Sequence, residues 1–289
     1  MRDDFAVFIL TNGRPDNIKT LKALEKGNYT GKIYLICDNL DKTLSEYQKK
    51  YDDKVIVFDK PAIAKKIDTG INDDDMRAIV YARNACFDIA KNLGLKYFLE
   101  LDDDYTAFGY RCIKNDKFTQ RKVTDLNRAF EYMINFLEAS GALSVAFAQN
   151  GDYVGGKDGK FYQKGLARKC MNTFFCKTEN RFWWSGKQNE DVSTYTHLGN
   201  KGKLFFTFTR LSINQAGTQQ QGGGMTEVYL EKGGYNKPFS SVIFSPQAVK
   251  VAMLNTSHKR IHHRINWNLC VPKILNEKYK KVKRIDKCK

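Results

Sequence analysis

The chain opens with short apolar runs alternating with longer stretches of helical spacing. Phe5 to Leu10, Ile33 to Cys37, Val55 to Phe58 and Tyr97 to Leu101 are rich in β-prone residues and predict four strands. Between the last two, Ile79, Ala82, Cys86, Ile89 and Leu93 recur at spacings of three and four, which sets them on one helix face with Arg83 and Asn84 beside the stripe. A second helix is expected from a Thr124 N-cap, with Leu126, Phe130, Met133 and Leu137 at the same spacing, and ALSVAFAQ returns to strand. Strands alternating with helices predict an α/β fold with a Rossmann-like mixed sheet flanked by helices.

After Gly151 the texture changes to short strands, glycine-rich turns (Gly155-Gly156, Gly222-Gly223-Gly224, Gly233-Gly234) and aromatic clusters such as RFWW. This half is expected to be loop-rich and built around the same sheet. No internal repeat and no Pro/Ser-rich linker marks a boundary. The expected organisation is one catalytic domain over 1–257, with halves 1–104 and 105–257, and a basic C-terminal extension over 258–289.

Composition narrows the class. A chain of 289 residues, 42% hydrophobic and 13% aromatic, buries a sizeable core and is not a disordered one. No apolar run approaches the roughly 18 to 20 residues of a bilayer span, and MRDDFAVFIL lacks the marks of a signal peptide, so a cytoplasmic location without membrane contact is expected. Seven cysteines without a CxxC pair suggest neither a zinc site nor a disulfide framework; Cys37, Cys86, Cys170 and Cys176 lie in apolar runs and are expected to be buried thiols. The net charge is +16, and His258 to Lys289 holds eleven Lys/Arg against two acids, a net +9. Such a surface suits a polyanion, nucleic acid being the commonest, or is a solvated basic tail.

Chemistry concentrates at Asp102-Asp103-Asp104, directly after the apolar YFLEL. Three carboxylates at the end of a buried strand repel one another unless a cation sits among them. A hard divalent ion with oxygen ligands that also bridges substrate phosphates resolves the conflict. Ligands of open α/β sheets gather outside the carboxyl ends of the strands, where this cluster stands. Alternation puts Asp102 and Asp104 on one side and Asp103 opposite. Asp104 is therefore the candidate direct metal ligand, and Asp102 a second ligand, a water-mediated one or a ribose contact. A plain acidic turn is the other reading.

A second acidic site is Glu190-Asp191 in QNEDVSTY. At a helix start only one of the two can face an acceptor, and a carboxylate there can take a proton from an attacking hydroxyl. Asp191 is the first candidate and Glu190 the second, while simple complementation of the helix dipole is the alternative. His262 and His263 in HKRIHHRINW are candidates to complete a metal site from a late segment, or are phosphate contacts or surface imidazoles. Thr11, Arg14 and Asp38, after the first two strands, are candidate base and ribose contacts, and Arg83 a candidate diphosphate contact. No GxGxxG, GxxxxGK[ST] or GxSxG pattern occurs, which sets aside dinucleotide enzymes, P-loop kinases and α/β-hydrolases.

Taken together, TNGRPDNIKTLKAL, VYARNACFDIAK, YFLELDDDYTAF, RKCMNTFFC, NEDVSTY, QQGGGMTEVYL and HHRINW make the chain resemble the phage TET-associated glycosyltransferases, relatives of the base J glucosyltransferases. The resemblance implies a GT-A fold, with 1–104 as the nucleotide-sugar half and 105–257 as the acceptor half. It also implies a UDP-sugar donor, a divalent ion (Mn2+ or Mg2+) on Asp102 and Asp104, and an acceptor hydroxyl on a hydroxymethylated pyrimidine of DNA in the infected bacterial host. Attack assisted by Asp191 would invert the sugar. Trp183 and Trp184 are then candidates to stack on an extruded base, or are core, and Lys259, Arg260 and Arg264 are candidate DNA contacts. A GT-A enzyme with a non-DNA acceptor and an inactive DNA-binding module are the rival expectations.

Overall fold

The structure is a computed structural model, and it describes residues 1–71, 73–215, 236–255 and 259–274. The predicted strands form one parallel block in the order β3 (Val55–Phe58), β2 (Lys32–Asp38), β1 (Phe5–Leu10), β4 (Tyr97–Asp102). Every residue of β1 is buried, because helices cover both faces. Phe5, Val7 and Ile9 face one layer with α1 (Lys19–Lys26) and α5 (Leu126–Ser140). Ala6, Phe8 and Leu10 face the other with α4 (Val80–Asn92). The short α2 (Leu44–Tyr51) and α3 (Lys60–Ala64) flank the β2 and β3 end.

Beyond β4 the sheet becomes mixed. β9 (Phe174–Lys177) runs antiparallel to both β4 and β7 (Ser144–Gln149), and β10 (Phe205–Gln215) is parallel to β7. The hairpin β5 (Tyr105–Lys114) and β6 (Lys117–Lys122) joins through β5 to β10, which also pairs β8 (Leu166–Ala167), giving ten strands. The result is the α/β mixed sheet flanked by helices that the sequence leads one to expect. α6 (Lys160–Gln163) is a single turn, whereas α7 (Glu190–Gly199) carries the second acidic site.

Two boundaries differ from expectation. The second helix is capped by Asp125, not Thr124: the Asp125 carboxylate accepts the Arg128 backbone N–H at 2.9 Å, and Gly141 at φ 63° ends the helix. The boundary at 257/258 cuts a hairpin, because β11 (Val249–Asn255) pairs antiparallel with β12 (Lys259–Ile265). The chain after it packs on the body. Trp267 stacks on Tyr195 of α7 with ring centres 5.8 Å apart, the Cys270 thiol donates to the Thr196 carbonyl, and Arg168 donates to the Cys270 carbonyl at 2.7 Å.

Cys37, Cys86, Cys170 and Cys176 are buried free thiols. No helix among the described residues is long and apolar enough to cross a membrane. The glycines at 222–224 and 233–234 lie outside the described residues, as do His258 and the last dozen residues.

Candidate active site

The acidic turn is held from below by α1. The Thr20 hydroxyl donates to the Asp102 carbonyl at 2.6 Å and accepts the Tyr105 N–H at 3.0 Å, while its own N–H reaches the Asp103 carbonyl. Asp103 turns inward. Its carboxylate accepts from the Thr11 hydroxyl at 2.8 Å and from Arg14 at 3.2 Å, and the Tyr47 hydroxyl sits between Thr11 and the Arg14 N–H. Thr11 and Arg14 thus brace the turn. Asp38, also buried, accepts from Asn12, Lys60 and the Leu40 N–H at the end of β2.

Asp102 and Asp104 stand apart from Asp103. Asp104 accepts from Gln215 at 3.3 Å through one oxygen, and its other oxygen is buried without a hydrogen-bond partner. Asp102 is raised to about 6, first by burial; Arg83 opposes this, and Asp104 and Glu190 add to it. Asp104 is raised by burial, against the Gln215 hydrogen bond and with Asp103 pushing it further. Two mutually repelling carboxylates, one with an orphaned oxygen, offer the hard oxygens that a divalent cation takes. The residues fit such an ion.

Arg83 lies at the centre of the site. It is 2% exposed on α4, and its guanidinium sits 4.5 Å from the Phe174 ring centre. Three carboxylates surround it: Nε to Glu190 at 3.1 Å, Nη2 to Asp102 at 3.2 Å and Nη1 near Glu100 at 3.5 Å. Burial alone would lower its pKa, but Asp102, Glu190 and Glu100 together raise it. Glu100 is fully buried and pushed up to about 8 by burial, with Arg83 acting against that. The sequence reading missed Glu100, although an acid two residues before Asp102 in a covered strand must share its face and find a cation.

Asn84, next to Arg83, pins the aromatic segment. Its amide donates to the Val80 and Trp184 carbonyls and its oxygen accepts the Trp184 N–H at 2.9 Å. Trp184 is consequently buried in the core between Phe174 and Phe182, and there it offers no face for stacking on a base. Trp183 is 39% exposed, with Arg181 4.2 Å from its ring centre.

At the start of α7 the two acids diverge as expected. Glu190 bonds Arg83, whereas Asp191 accepts only the Val192 N–H, at 2.7 Å, among the described hydrogen bonds. Burial raises both; Arg83 restrains Glu190, and Lys237, the Val192 N–H and Arg83 restrain Asp191. Asn189, in a left-handed conformation at φ 52°, ties this turn to α8 (Asn236–Phe244) through the Lys237 carbonyl and Ser241, and lies 3.3 Å from His263 Nδ1. His263 is held down to about 3, first by burial and then by His262 and two lysines. No group of three or more His, Cys, Asp or Glu among the described residues is arranged to hold a metal. His262 and His263 therefore do not join Asp102 and Asp104 in a ligand set here: His263 faces Asn189, and His262 lies 4.1 Å from His263, ring centre to ring centre. Lys259 and Arg264 are exposed on β12, and Arg260 lies between them.

A profile of the TET-Associated Glycosyltransferase family matches residues 5–224. The chain belongs to that family. Asp102, Asp104, Glu190 and Asp191 of this TET-associated glycosyltransferase lie inside the match, whereas Lys259 to Arg264 lie beyond it. No curated protein matches the chain. Among solved structures, it is similar to a protein described as a nucleotide-diphospho-sugar transferase from Desulfovibrio desulfuricans G20, at 5% identity and TM-score 0.40, covering 85% of this chain and 96% of that one. It is also similar to CMP:2-keto-3-deoxy-manno-octonic acid synthetase complexed with CTP, at 10% identity and TM-score 0.41 over 79% and 95%. A third is GalNAc-T7 with UDP, GalNAc and Mn2+, at 9% identity and TM-score 0.36 over 78% and 47%.

Proposed function

We propose that this glycosyltransferase moves a sugar from a UDP-type donor to the hydroxyl of a 5-hydroxymethylpyrimidine in bacteriophage DNA, using Mn2+ or Mg2+ held by Asp102 and Asp104 and inverting the anomeric carbon. The observation that carries this reading is the bridging of Asp102 and Glu190 by the single buried Arg83. It joins the carboxyl end of β4, where a donor would bind, to the helix start where a base would stand.

When bound, the cation supplies Lewis-acid stabilisation of the departing diphosphate. Arg83 holds the Asp102 carboxylate and keeps Glu190 occupied, which leaves Asp191 as the carboxylate for the acceptor. In a direct displacement the acceptor oxygen bonds to the anomeric carbon, the bond to the diphosphate oxygen breaks with its electron pair, and Asp191 takes the hydroxyl proton. Burial keeps Asp191 a stronger base than an exposed aspartate. For the DNA acceptor the support is the net charge of +16, the exposed Lys259 and Arg264, and the exposed Trp183 with its attendant arginine.

The test is nucleoside mass spectrometry on 5-hydroxymethylcytosine and 5-hydroxymethyluracil DNA incubated with the protein, manganese and a panel of UDP-sugars. A hexose or N-acetylhexosamine mass gain, absent with Asp104→Ala, is expected. Metal-dependent donor hydrolysis with no gain on either DNA would overturn the DNA acceptor and keep the transferase.

A further inference from the structure

The β11–β12 ribbon lies outside the main sheet, and its two ends have different characters. At the base Val249 is buried, and His263 meets Asn189, two residues before Asp191. Farther out, Met253 pairs directly with Ile261, and the two are 57% and 39% exposed. Alternation puts Lys250 and Arg264, another directly opposed pair, on the reverse face, both exposed. Like charges directly opposite destabilise a ribbon, and neither forms an ion pair with a described residue. The apolar pair is left largely in water.

One partner satisfies both faces: a polyanion with a stacked apolar interior. Duplex DNA has a groove that admits a two-stranded ribbon, phosphates to meet its cations and base steps that Met or Ile side chains can part. We propose that the β11–β12 ribbon is the element that docks duplex DNA, with Lys250 and Arg264 on the phosphates and the Met253–Ile261 pair wedged into the stack beside the nucleotide presented to Asp191. This rests on the DNA-acceptor reading and names its docking surface. It gives the part of the chain beyond the family match a task of its own, as base presentation to a deep site requires unstacking.

The experiment uses the full chain and a duplex with one 5-hydroxymethylcytosine beside 2-aminopurine, whose fluorescence rises on unstacking. Affinity is followed by anisotropy across salt, and sugar transfer by mass. For Lys250→Gln/Arg264→Gln the slope of log affinity against log salt is expected to become shallower by about 1.8, two phosphate contacts at roughly 0.9 each. For Met253→Ser/Ile261→Ser the 2-aminopurine rise seen with the unaltered chain is expected to fall at least fivefold, with its melting temperature maintained. Variants that bind and unstack like the unaltered chain overturn the proposal even if sugar is transferred. Loss of binding and unstacking in the variants supports it even if no sugar is transferred, in which case only the acceptor reading fails. A dimer that Met253→Ser/Ile261→Ser dissociates, with duplex binding unaltered, makes the pair a self-association surface and overturns the proposal.

Discussion

Arg83 Nε donates to Glu190 Oε1 over 3.1 Å, so the cation that answers Asp102 on the central sheet also answers the first residue of α7. The two acidic sites of the sequence, far apart along the chain, are one electrostatic unit. Removing its only fully buried cation among the described residues strands the Asp102 and Glu190 carboxylates and the buried Glu100 carboxyl at once.

Arg83→Gln is therefore expected to cost about 3–5 kcal/mol of stability, the usual penalty for breaking a buried ion pair from one side. Arg83→Lys keeps the charge but has no planar fork to reach Glu190, Asp102 and Glu100 together. It should melt closer to the unaltered chain while losing at least tenfold in kcat. Chemical denaturation and steady-state kinetics on the same preparations check both, and an Arg83→Lys enzyme of full activity would remove Arg83 from the working site.

On the proposed reading, Asp104 trades stability for metal binding. Its second oxygen is buried without a partner, so Asp104→Ala should leave the metal-free melting temperature unchanged or higher while weakening manganese affinity at least tenfold. Calorimetric titration with manganese, alone and with UDP, gives the second number. A variant that melts lower but binds manganese normally would assign Asp104 to the fold instead.

Much of this was legible in the chain. The short apolar β-prone runs and the spacing of Ile79 to Leu93 pointed to the parallel block, and DDD after an apolar strand marked the sheet end where the candidate site lies. What escaped was pairing across distance. Nothing local says that Arg83 answers Glu100, Asp102 and Glu190 instead of facing solvent or a diphosphate, because that depends on α4 and α7 packing on one face of β4. Trp184 looked equally suited to stacking or core until Asn84 pinned its backbone. The extension boundary failed for a similar reason: net charge marks a basic segment but does not register that Trp267 has Tyr195 to stack on.

The divergence of Glu190 and Asp191 separates their roles. Asp191→Asn is expected to lower kcat about 10²- to 10⁴-fold, the usual contribution of a general base. The unaltered enzyme should gain activity as pH rises through the elevated Asp191 pKa, and the variant should lose that limb. Glu190→Gln should retain the limb at reduced rate, since it disturbs Arg83 and not the proton acceptor. A pH–rate profile in which Glu190→Gln alone abolishes the limb would exchange the two assignments.

Glu100 makes the metal-free protein sensitive to pH. Its pKa is raised from 4.5 to about 8 on folding, so the folded chain holds a proton that the unfolded chain releases. The sign follows from linkage: that contribution to stability is complete below about 4.5 and is lost as pH rises toward about 8. Thermal melts in EDTA between pH 5 and 8 should show a decline that Glu100→Gln makes shallower, because a neutral amide has no proton to release; the part that remains belongs to the other raised carboxyls, Asp102 first among them. The comparison isolates Glu100 from carboxylates of opposite sign, such as Asp4 and Glu138, whose pKa values are lowered by Arg2 and Tyr97. Parallel declines in the two proteins would show that Glu100 is already ionised in the fold at pH 5.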